Sequence, residues 1–424
     1  MPSVGVFLDN GGGLIKACQL PLSRTTASPS PPPLPASLTV PNALGRLSKH
    51  ALPPPPELLG KSRRPAGMLV GGELLVAPDV TGMVLRRPVD RGVVALWDAQ
   101  RDVWASVFSK QLGIDLDNPV DTALIVTEPL GLPVHMRRAM DELVFEEFGF
   151  AECAPVCPQR LAAAGARRPT ALILDSGFSA TSAVPVVDGV ELALCARRLS
   201  LGGKALTNIL KETVSFRSVN LMDEGVVVEA VKERLCYVSL DYHEELAQCK
   251  KGENRIRREY VLPDMSRIGG DRLGHVLTED EETDGTEQIL PMNNERISVP
   301  EILFNPSDVG LQQAGLAEII FQAIQACPED LHAQLYANVV LTGGNCKFGN
   351  FYQRVVQELR PLVRDNYDVC VNMGDDPVLT TYQGGARALS DDHVPLNFVT
   401  KALYEENGSD AVLRQLYKDS DNDR

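Results

Sequence analysis

VGVFLDNGGGLIKACQL, from Val4 to Leu20, and TALILDSGFSATSAVPVVDG, from Thr170 to Gly189, share one plan. Each has an apolar run, then an aspartate, a polar residue and glycine, then a second apolar run. That order reads as strand, glycine turn, strand. Asp9 and Asp175 hold the same place in the two copies, 166 residues apart. A repeat half a chain apart predicts two related lobes facing one another. Length agrees, because 424 residues is roughly two to three times the usual domain. With 44% hydrophobic and 23% charged residues, the chain can bury a sizeable core.

Four glycine-rich turns follow short apolar strands: Gly11–Gly13, Gly177, Gly202–Gly203 and Gly343–Gly344. Glycine lets backbone amides approach an anion with no Cβ in the way, and a helix N-terminus adds positive potential. Two facing turns can hold phosphates from two sides. Asp9 and Asp175 would then orient a hydrated divalent metal, and Lys16 on the return strand can reach a phosphate. Taken singly, each aspartate also reads as a turn former bonding its own backbone. It is the pairing of the two that points to a site. No GxxxxGK[ST] loop is present, and no GxGxxG opens a helix. No GxSxG elbow exists, and His135, His243 and His332 lie in mixed-polarity helical contexts, so a Ser/His/Asp or Cys/His hydrolase is not expected.

Net charge is −15, which opposes sequence-independent capture of nucleic acid by Lys and Arg. The nine cysteines include no CxxC pair and accompany only six histidines. They read as reduced thiols of a cytosolic or nuclear protein, not as a disulfide framework or zinc site. No secretory leader and no membrane-length apolar run is visible, which predicts a soluble intracellular protein.

Ten of the 28 residues from Pro29 to Pro56 are proline. Such a tract predicts an extended surface loop with no ladder, either a tolerated insertion or a ligand for proline-reading domains. KKGENRIRRE, from Lys250 to Glu259, and EDEETDGTE, from Glu279 to Glu287, read as solvated loops or as a docking surface for a partner protein. The tail from Ser409 to Arg424 is charged and is expected to fray.

LDNGGGLIKA resembles the first phosphate loop of the actin family, and LDSGFSATSAV the second. RGVVALWDAQRDVW, LGGKALTNIL, VKERLCYVSLDY, VPEILFNPSDVG, LYANVVLTGG and VTKALYEENG resemble further actin segments in the same order. The resemblance implies an α/β, actin-like (ribonuclease H-like) fold of two lobes around a nucleotide cleft. The first lobe would comprise 1–165 plus 376–424, with the Pro-rich insertion 29–56. The second would comprise 166–375, with a charged insertion at about 249–291.

The resemblance also implies ATP or ADP with Mg2+ as ligand. It assigns nucleotide binding to Asp9, Gly11, Gly12, Gly13, Lys16, Asp175, Ser176, Gly177, Gly203, Lys232, Glu233, Gly343, Gly344 and Phe348. Asp9 and Asp175 would carry the metal, and no catalytic residue is assigned. The chain departs from the family pattern at several places. Gly12 stands where actin has a phosphate-binding serine, and Phe178 replaces an acid that positions the metal's water shell. Glu229 stands in place of an arginine and Lys347 in place of a methionine. The hydrolysis-assisting glutamine aligns with Pro158, or with Gln159 only after one gap. The surviving backbone amides and Lys16 would still allow phosphate binding, and turnover is expected to be weak or absent.

YVSLDYHEELAQCK, REYVLPD, EQIL before NNERISVPEILFNPSDVG, and VPN at Val40 to Asn42 resemble a nuclear branch of the actin-related proteins. Members of that branch belong to the remodeller that exchanges a variant histone into nucleosomes. The resemblance therefore implies a scaffold in the nucleus, and also in the cytoplasm. Its expected partners are a remodeller ATPase and a zinc-containing companion subunit, with histones or nucleosome contacted indirectly. No membrane and no filament are expected, since the Pro-rich insertion replaces the polymer-contacting loop. A filament-forming cytoplasmic ATPase and a phosphotransferase are the other readings. The latter lacks a nameable carboxylate to deprotonate an acceptor hydroxyl.

Overall fold

The computed structural model describes residues 2–22, 35–49, 67–116, 121–251, 254–264, 271–278, 285–390, 394 and 396–417. Both hairpins form. Val4–Asn10 pairs antiparallel with Leu14–Pro21 and sets Asp9 opposite Lys16. Ala171–Ser176 pairs antiparallel with Thr181–Val187 and sets Asp175 opposite Ser182. Val6, Phe7 and Leu8 are all buried, as are Leu172, Ile173 and Leu174. Consecutive buried residues are the mark of strands covered on both faces.

Each hairpin is the centre of one sheet. The first sheet runs Val399–Thr400, Glu152–Val156, Thr122–Thr127, Val4–Asn10, Leu14–Pro21, Leu38–Pro41. The second runs Val190–Glu191, Thr181–Val187, Ala171–Ser176, Val339–Thr342, Val371–Met373, with Arg197–Leu199 also bonded to Thr181–Val187. In both, the strand carrying the aspartate has its antiparallel return strand on one side and a later parallel strand on the other. The repeat legible in the sequence is thus a repeat of sheet topology, and the fold is the two-lobed α/β arrangement that the resemblance implied.

Two helices carry the chain between the sheets. Helix α1 (Pro158–Gly165) leaves Glu152–Val156 of the first sheet for Ala171–Ser176 of the second. Helix α2 (Thr380–Ser390) leaves Val371–Met373 and returns the chain to Val399–Thr400. They touch backbone to backbone: a Cβ at Gly384 would overlap the Leu161 carbonyl oxygen, and one at Gly165 would overlap that of Thr380. The lobes are therefore joined at a crossing that has no room for a methyl group.

Three expectations are corrected here. Part of the Pro-rich tract does hold a ladder. Leu38–Pro41 extends the first sheet, and Leu44–Arg46 is the middle strand between Met68–Val70 and Val84–Arg86. The reason lies in the spacing: prolines crowd 29–35 and 53–56, whereas SLTVPNALGR between them has one, on an edge strand where the missing N–H is tolerated. Buried Val40 and Leu44 anchor this stretch. Residues 29–34 and 50–56 of the tract lie outside the described residues.

Similarly, the basic run reaches order at Arg258. Arg258–Val261 pairs with His275–Val276 and Ile289–Met292 in a three-stranded sheet whose Tyr260, Leu290 and Met292 are buried. Apolar residues in YVLPD and ILPM bury against the second lobe and outweigh the neighbouring charges. Residues 252–253, 265–270 and 279–284 lie outside the described residues, and with them most of the acidic run. Finally, Ser409–Tyr417 is helical, because Val412 and Leu416 meet the core of the first lobe. Residues 418–424 lie outside the described residues. Among the described residues no helix is long and apolar enough to cross a membrane.

Candidate nucleotide site

The first turn is fixed by side chains that converge from four segments. Asp9 pairs with Lys16 at 2.7 Å and accepts the Thr127 hydroxyl at 3.2 Å. Thr127 in turn accepts the Asn10 amide at 2.7 Å. Asn42, from the VPN segment, donates to the Gly11 carbonyl at 2.9 Å, while its own backbone N–H donates to the Gly13 carbonyl at 2.9 Å. Gln100 braces Asn42, and the Trp104 indole donates to Asn10 at 3.1 Å. Buried polar groups require such partners, and here the partners dictate the path of Gly11–Gly13.

The second turn is pinned from below. Asn345 donates to the Ser176 hydroxyl at 3.1 Å and to the Gly177 carbonyl at 2.9 Å. The amides of Gly203 and Lys204, at the start of helix Gly203–Arg217, donate to Gly177 and Phe178 at 3.0 and 2.9 Å. Gly343 sits at φ +97°, where a side chain would run into the Ser176 carbonyl. Only glycine serves at that point.

The two turns meet. A Cβ on Gly13 would lie 2.9 Å from the Phe178 side chain, and one on Gly12 would overlap the Ser179 hydroxyl. Asp9 and Asp175 face each other across this contact. Burial first, and the Asp9 charge second, push the Asp175 carboxyl up to about 6, against the opposing pull of Lys16 and the Gln159 amide. Among the described residues Asp175 makes no ion pair of its own, so two carboxylates share one lysine. That donor set suits a hydrated divalent cation shared with phosphate oxygens, as Mg2+ prefers. Among the described residues there is no cluster of three or more His, Cys, Asp and Glu that would hold a metal by protein ligands alone. Bound there, Mg2+ would supply charge neutralisation for phosphate.

Gln159 is at this site after all. It lies in the first turn of α1 and donates to Asp175 at 3.0 Å and to Ser182 at 3.2 Å, while its own carbonyl oxygen accepts the Cys157 thiol at 3.1 Å. Pro158, beside it at the first helical position where its missing N–H costs nothing, carries no amide that could do the same.

Other assigned residues fall around the second turn. Gly203 lies against Asn345, Lys232 and Phe178, and Gly344 faces open space. The Lys232 ammonium is buried between two helices, donating to Gly203 at 3.2 Å and Thr207 at 2.8 Å, and burial holds it below its ordinary pKa. Burial and the nearby Glu229 raise the Glu233 carboxyl. Phe348 belongs to the core of the second lobe. Lys232 thus reaches the second turn through Gly203, and Phe348 packs within the lobe.

What the sequence reading missed is the seam beside the turns. Arg87 donates to the Gly13 carbonyl at 3.1 Å, pairs with Glu229 at 3.0 Å, and lies over the Phe178 ring. Gly82 N–H donates to both Glu224 oxygens at 3.0 and 3.1 Å, Lys204 pairs with Asp90 at 2.9 Å, and Arg198 meets the Arg91 carbonyl. From the charged insertion, Arg272 donates to the Leu74 and Ala77 carbonyls at 2.9 and 3.0 Å. Leu69, Leu74, Val80 and Met83 continue into the apolar core of the second lobe. The segment 67–91 is stitched to the opposite lobe along its length. A separate open cavity of about 670 Å³, lined by Leu240, Tyr242, Arg354, Gln357 and Glu358 among others, lies on the second lobe away from the turns.

Comparison with known proteins agrees with this geometry. The sequence signature of the actin family, described as Actin, matches residues 34–417. The chain is 37% identical to an actin-related protein 6 of Arabidopsis thaliana, over 97% of this chain and 99% of that protein. It is 38% identical to an actin-like protein ARP6 of Yarrowia lipolytica over 80% and 86% of the two chains, and 33% identical to an actin-related protein 6 of Drosophila melanogaster over 81% and 88%. A signature covering most of the chain, relatives matched nearly end to end and two facing aspartate hairpins lead to one conclusion: the chain belongs to the actin family.

Proposed function

We propose that the chain is a non-filament scaffold subunit of a nuclear chromatin-remodelling complex, one that exchanges a histone variant into nucleosomes. The observation that carries this reading is kinship over almost the whole chain with proteins named actin-related protein 6. It is supported by the segments YVSLDYHEELAQCK and REYVLPD, which resemble the nuclear branch. A remodeller ATPase and a zinc-containing companion subunit are its direct partners, and histones or nucleosome are reached through them. A net charge of −15 accords with indirect contact to DNA.

In this reading ATP or ADP with Mg2+ sits between the paired turns as a clamp. A ligand bound only to the folded state stabilises it by mass action without any turnover. Hydrolysis is weak or absent. Phe178 supplies no carboxylate to order the metal's water, and the Gln159 amide is occupied by Asp175 and Ser182. Loss of one such proton-handling or water-orienting group typically lowers the rate by about 10²–10⁴. The stitched mouth of the cleft suits a part that keeps one shape.

Affinity purification of the full chain from nuclear extract, followed by mass spectrometry, tests the proposal. Recovery of a remodeller ATPase together with a zinc-containing subunit is expected. Recovery of neither overturns it. Steady phosphate release with pelleting under polymerising salt would establish the filament-forming ATPase in its place.

A further inference from the structure

We infer that Cys195 and Cys327 form a hydroperoxide-sensitive dithiol that closes to a reversible disulfide within the second lobe. The inference stands apart from the proposed function, since neither nucleotide nor partner subunit enters it.

All nine cysteines are free thiols, and these two lie 132 residues apart in sequence. The fold brings them together. Cys195 ends the short turn Ala193–Cys195 that leads into strand Arg197–Leu199, and Cys327 follows helix Leu316–Gln325. The Cys195 thiol donates to the Ala326 carbonyl at 3.1 Å, one residue from Cys327. Its sulfur lies within hydrogen-bond reach of the Cys327 sulfur. The Cys327 thiol donates to the Ala323 carbonyl at 3.4 Å, so both side chains are held at the same helix end. Two sulfurs already in contact close to a bond of about 2.05 Å by side-chain rotation.

The two thiols differ in access, and that sets the order of events. Cys327 is buried, and burial first, with the Cys195 sulfur second, pushes its thiol up to about 12. Cys195 is only partly buried and stands beside the exposed Leu194. Arg197 donates to the Cys195 and Ala196 carbonyls at 3.3 and 2.9 Å, which sets a guanidinium beside the pair. A neighbouring cation favours thiolate, the reactive form. Cys195 is therefore the attacking sulfur.

Its sulfur attacks one oxygen of hydrogen peroxide: an S–O bond forms, the O–O bond breaks, and the departing hydroxide takes the thiol proton as water. The Cys327 sulfur then attacks the Cys195 sulfur. The S–S bond forms, the S–O bond breaks, and hydroxide leaves with the Cys327 proton as a second water. Two thiols and one peroxide give one disulfide and two waters, with sulfur oxidised and the peroxide oxygens reduced. The new bond ties the strand beside the second hairpin to a helix of the same lobe. A dithiol reductant opens it again.

Peptide mapping tests this. The reduced full chain is treated with hydrogen peroxide, raised in concentration until the exposed Cys370 is oxidised. It is then blocked with iodoacetamide in denaturant and digested without reductant. Mass spectrometry is expected to show Cys195 and Cys327 losing alkylation together, with a peptide pair joined through them, and dithiothreitol restoring both thiols. Cys327→Ser is expected to leave Cys195 as a sulfenic acid that dimedone traps. Cys195→Ser is expected to leave Cys327 alkylatable. If both thiols of the natural chain stay alkylatable when Cys370 is oxidised, the inference is overturned. Oxidation of Cys195 to sulfinic acid with no joined peptide also overturns it.

Discussion

The Arg87 guanidinium lies 4.2 Å above the centroid of the Phe178 ring, and each of its two ends bonds a different lobe. One end reaches the Gly13 carbonyl and the other the Glu229 carboxylate. A single arginine thus ties Phe178 and Glu229 of one lobe to Gly13 of the other across the cleft.

Arg87→Ala should therefore loosen the two lobes. A cation–π contact and a partly exposed ion pair together are worth about 1–2 kcal/mol after solvent screening. The expected outcome is a loss of that size in urea denaturation, with faster release of any bound nucleotide. Arg87→Lys should recover less than half, because an ammonium cannot lie flat on the ring and bond both lobes at once.

Acidity gives an independent test of the paired aspartates. The Asp175 carboxyl stands at about 6 in the folded chain against an ordinary 3.8. A folded-state value raised in this way means that ionisation disfavours the fold, so the stability of the free protein should fall as pH rises from about 4 through 6. Metal binding has the opposite sign. Mg2+ needs the carboxylate, so MgADP affinity should rise over the same window and level off above pH 7, being about tenfold weaker at pH 5. Calorimetry across pH 5 to 8 reads both trends, and Asp175→Asn should flatten them.

The crossing of α1 and α2 makes the sharpest stability prediction. Gly384→Ala forces a methyl into the Leu161 carbonyl, and neither helix can retreat without moving a lobe. A loss of at least about 2 kcal/mol is expected in thermal or chemical denaturation. Gly225→Ala is the control. It lies at the start of helix Gly225–Leu235 and faces open space, so the change should be neutral or stabilise by up to about 1 kcal/mol.

The two hairpins were legible because they are local: strand, aspartate, glycine and strand fall within twenty residues, and the pattern occurs twice. The pairing of Asp9 with Asp175 followed from that repeat. The seam was not legible. Arg87, Glu229, Arg272 and Leu74 are joined only by tertiary packing, and no periodicity links residues so far apart in the chain. Strands inside the Pro-rich and charged tracts were hidden for another reason. Composition averaged over those windows outweighed the short apolar stretches LTV and EYVL, whose burial decides the local structure. Gln159 was obscured by a single step of register.

Gln159 tests how far the site has drifted from hydrolysis. In a working ATPase of this geometry a glutamine beside the metal would hold the attacking water, and its removal would cost about 10²–10⁴ in rate. Here both ends of its amide are engaged: Nε2 with Asp175 and Ser182, the oxygen with the Cys157 thiol. Its Nε2 is used up as a brace for the carboxylate, and one lone pair of its oxygen is all that remains for a water. Gln159→Ala should therefore change ATP turnover by less than about threefold, in contrast to that penalty. It should instead move the pH midpoint of MgADP binding upward, since the amide hydrogen bond is one of the two influences that lower the Asp175 carboxyl. A collapse of turnover with the midpoint unmoved would mean that the glutamine leaves Asp175 when nucleotide binds, and that the cleft still performs chemistry.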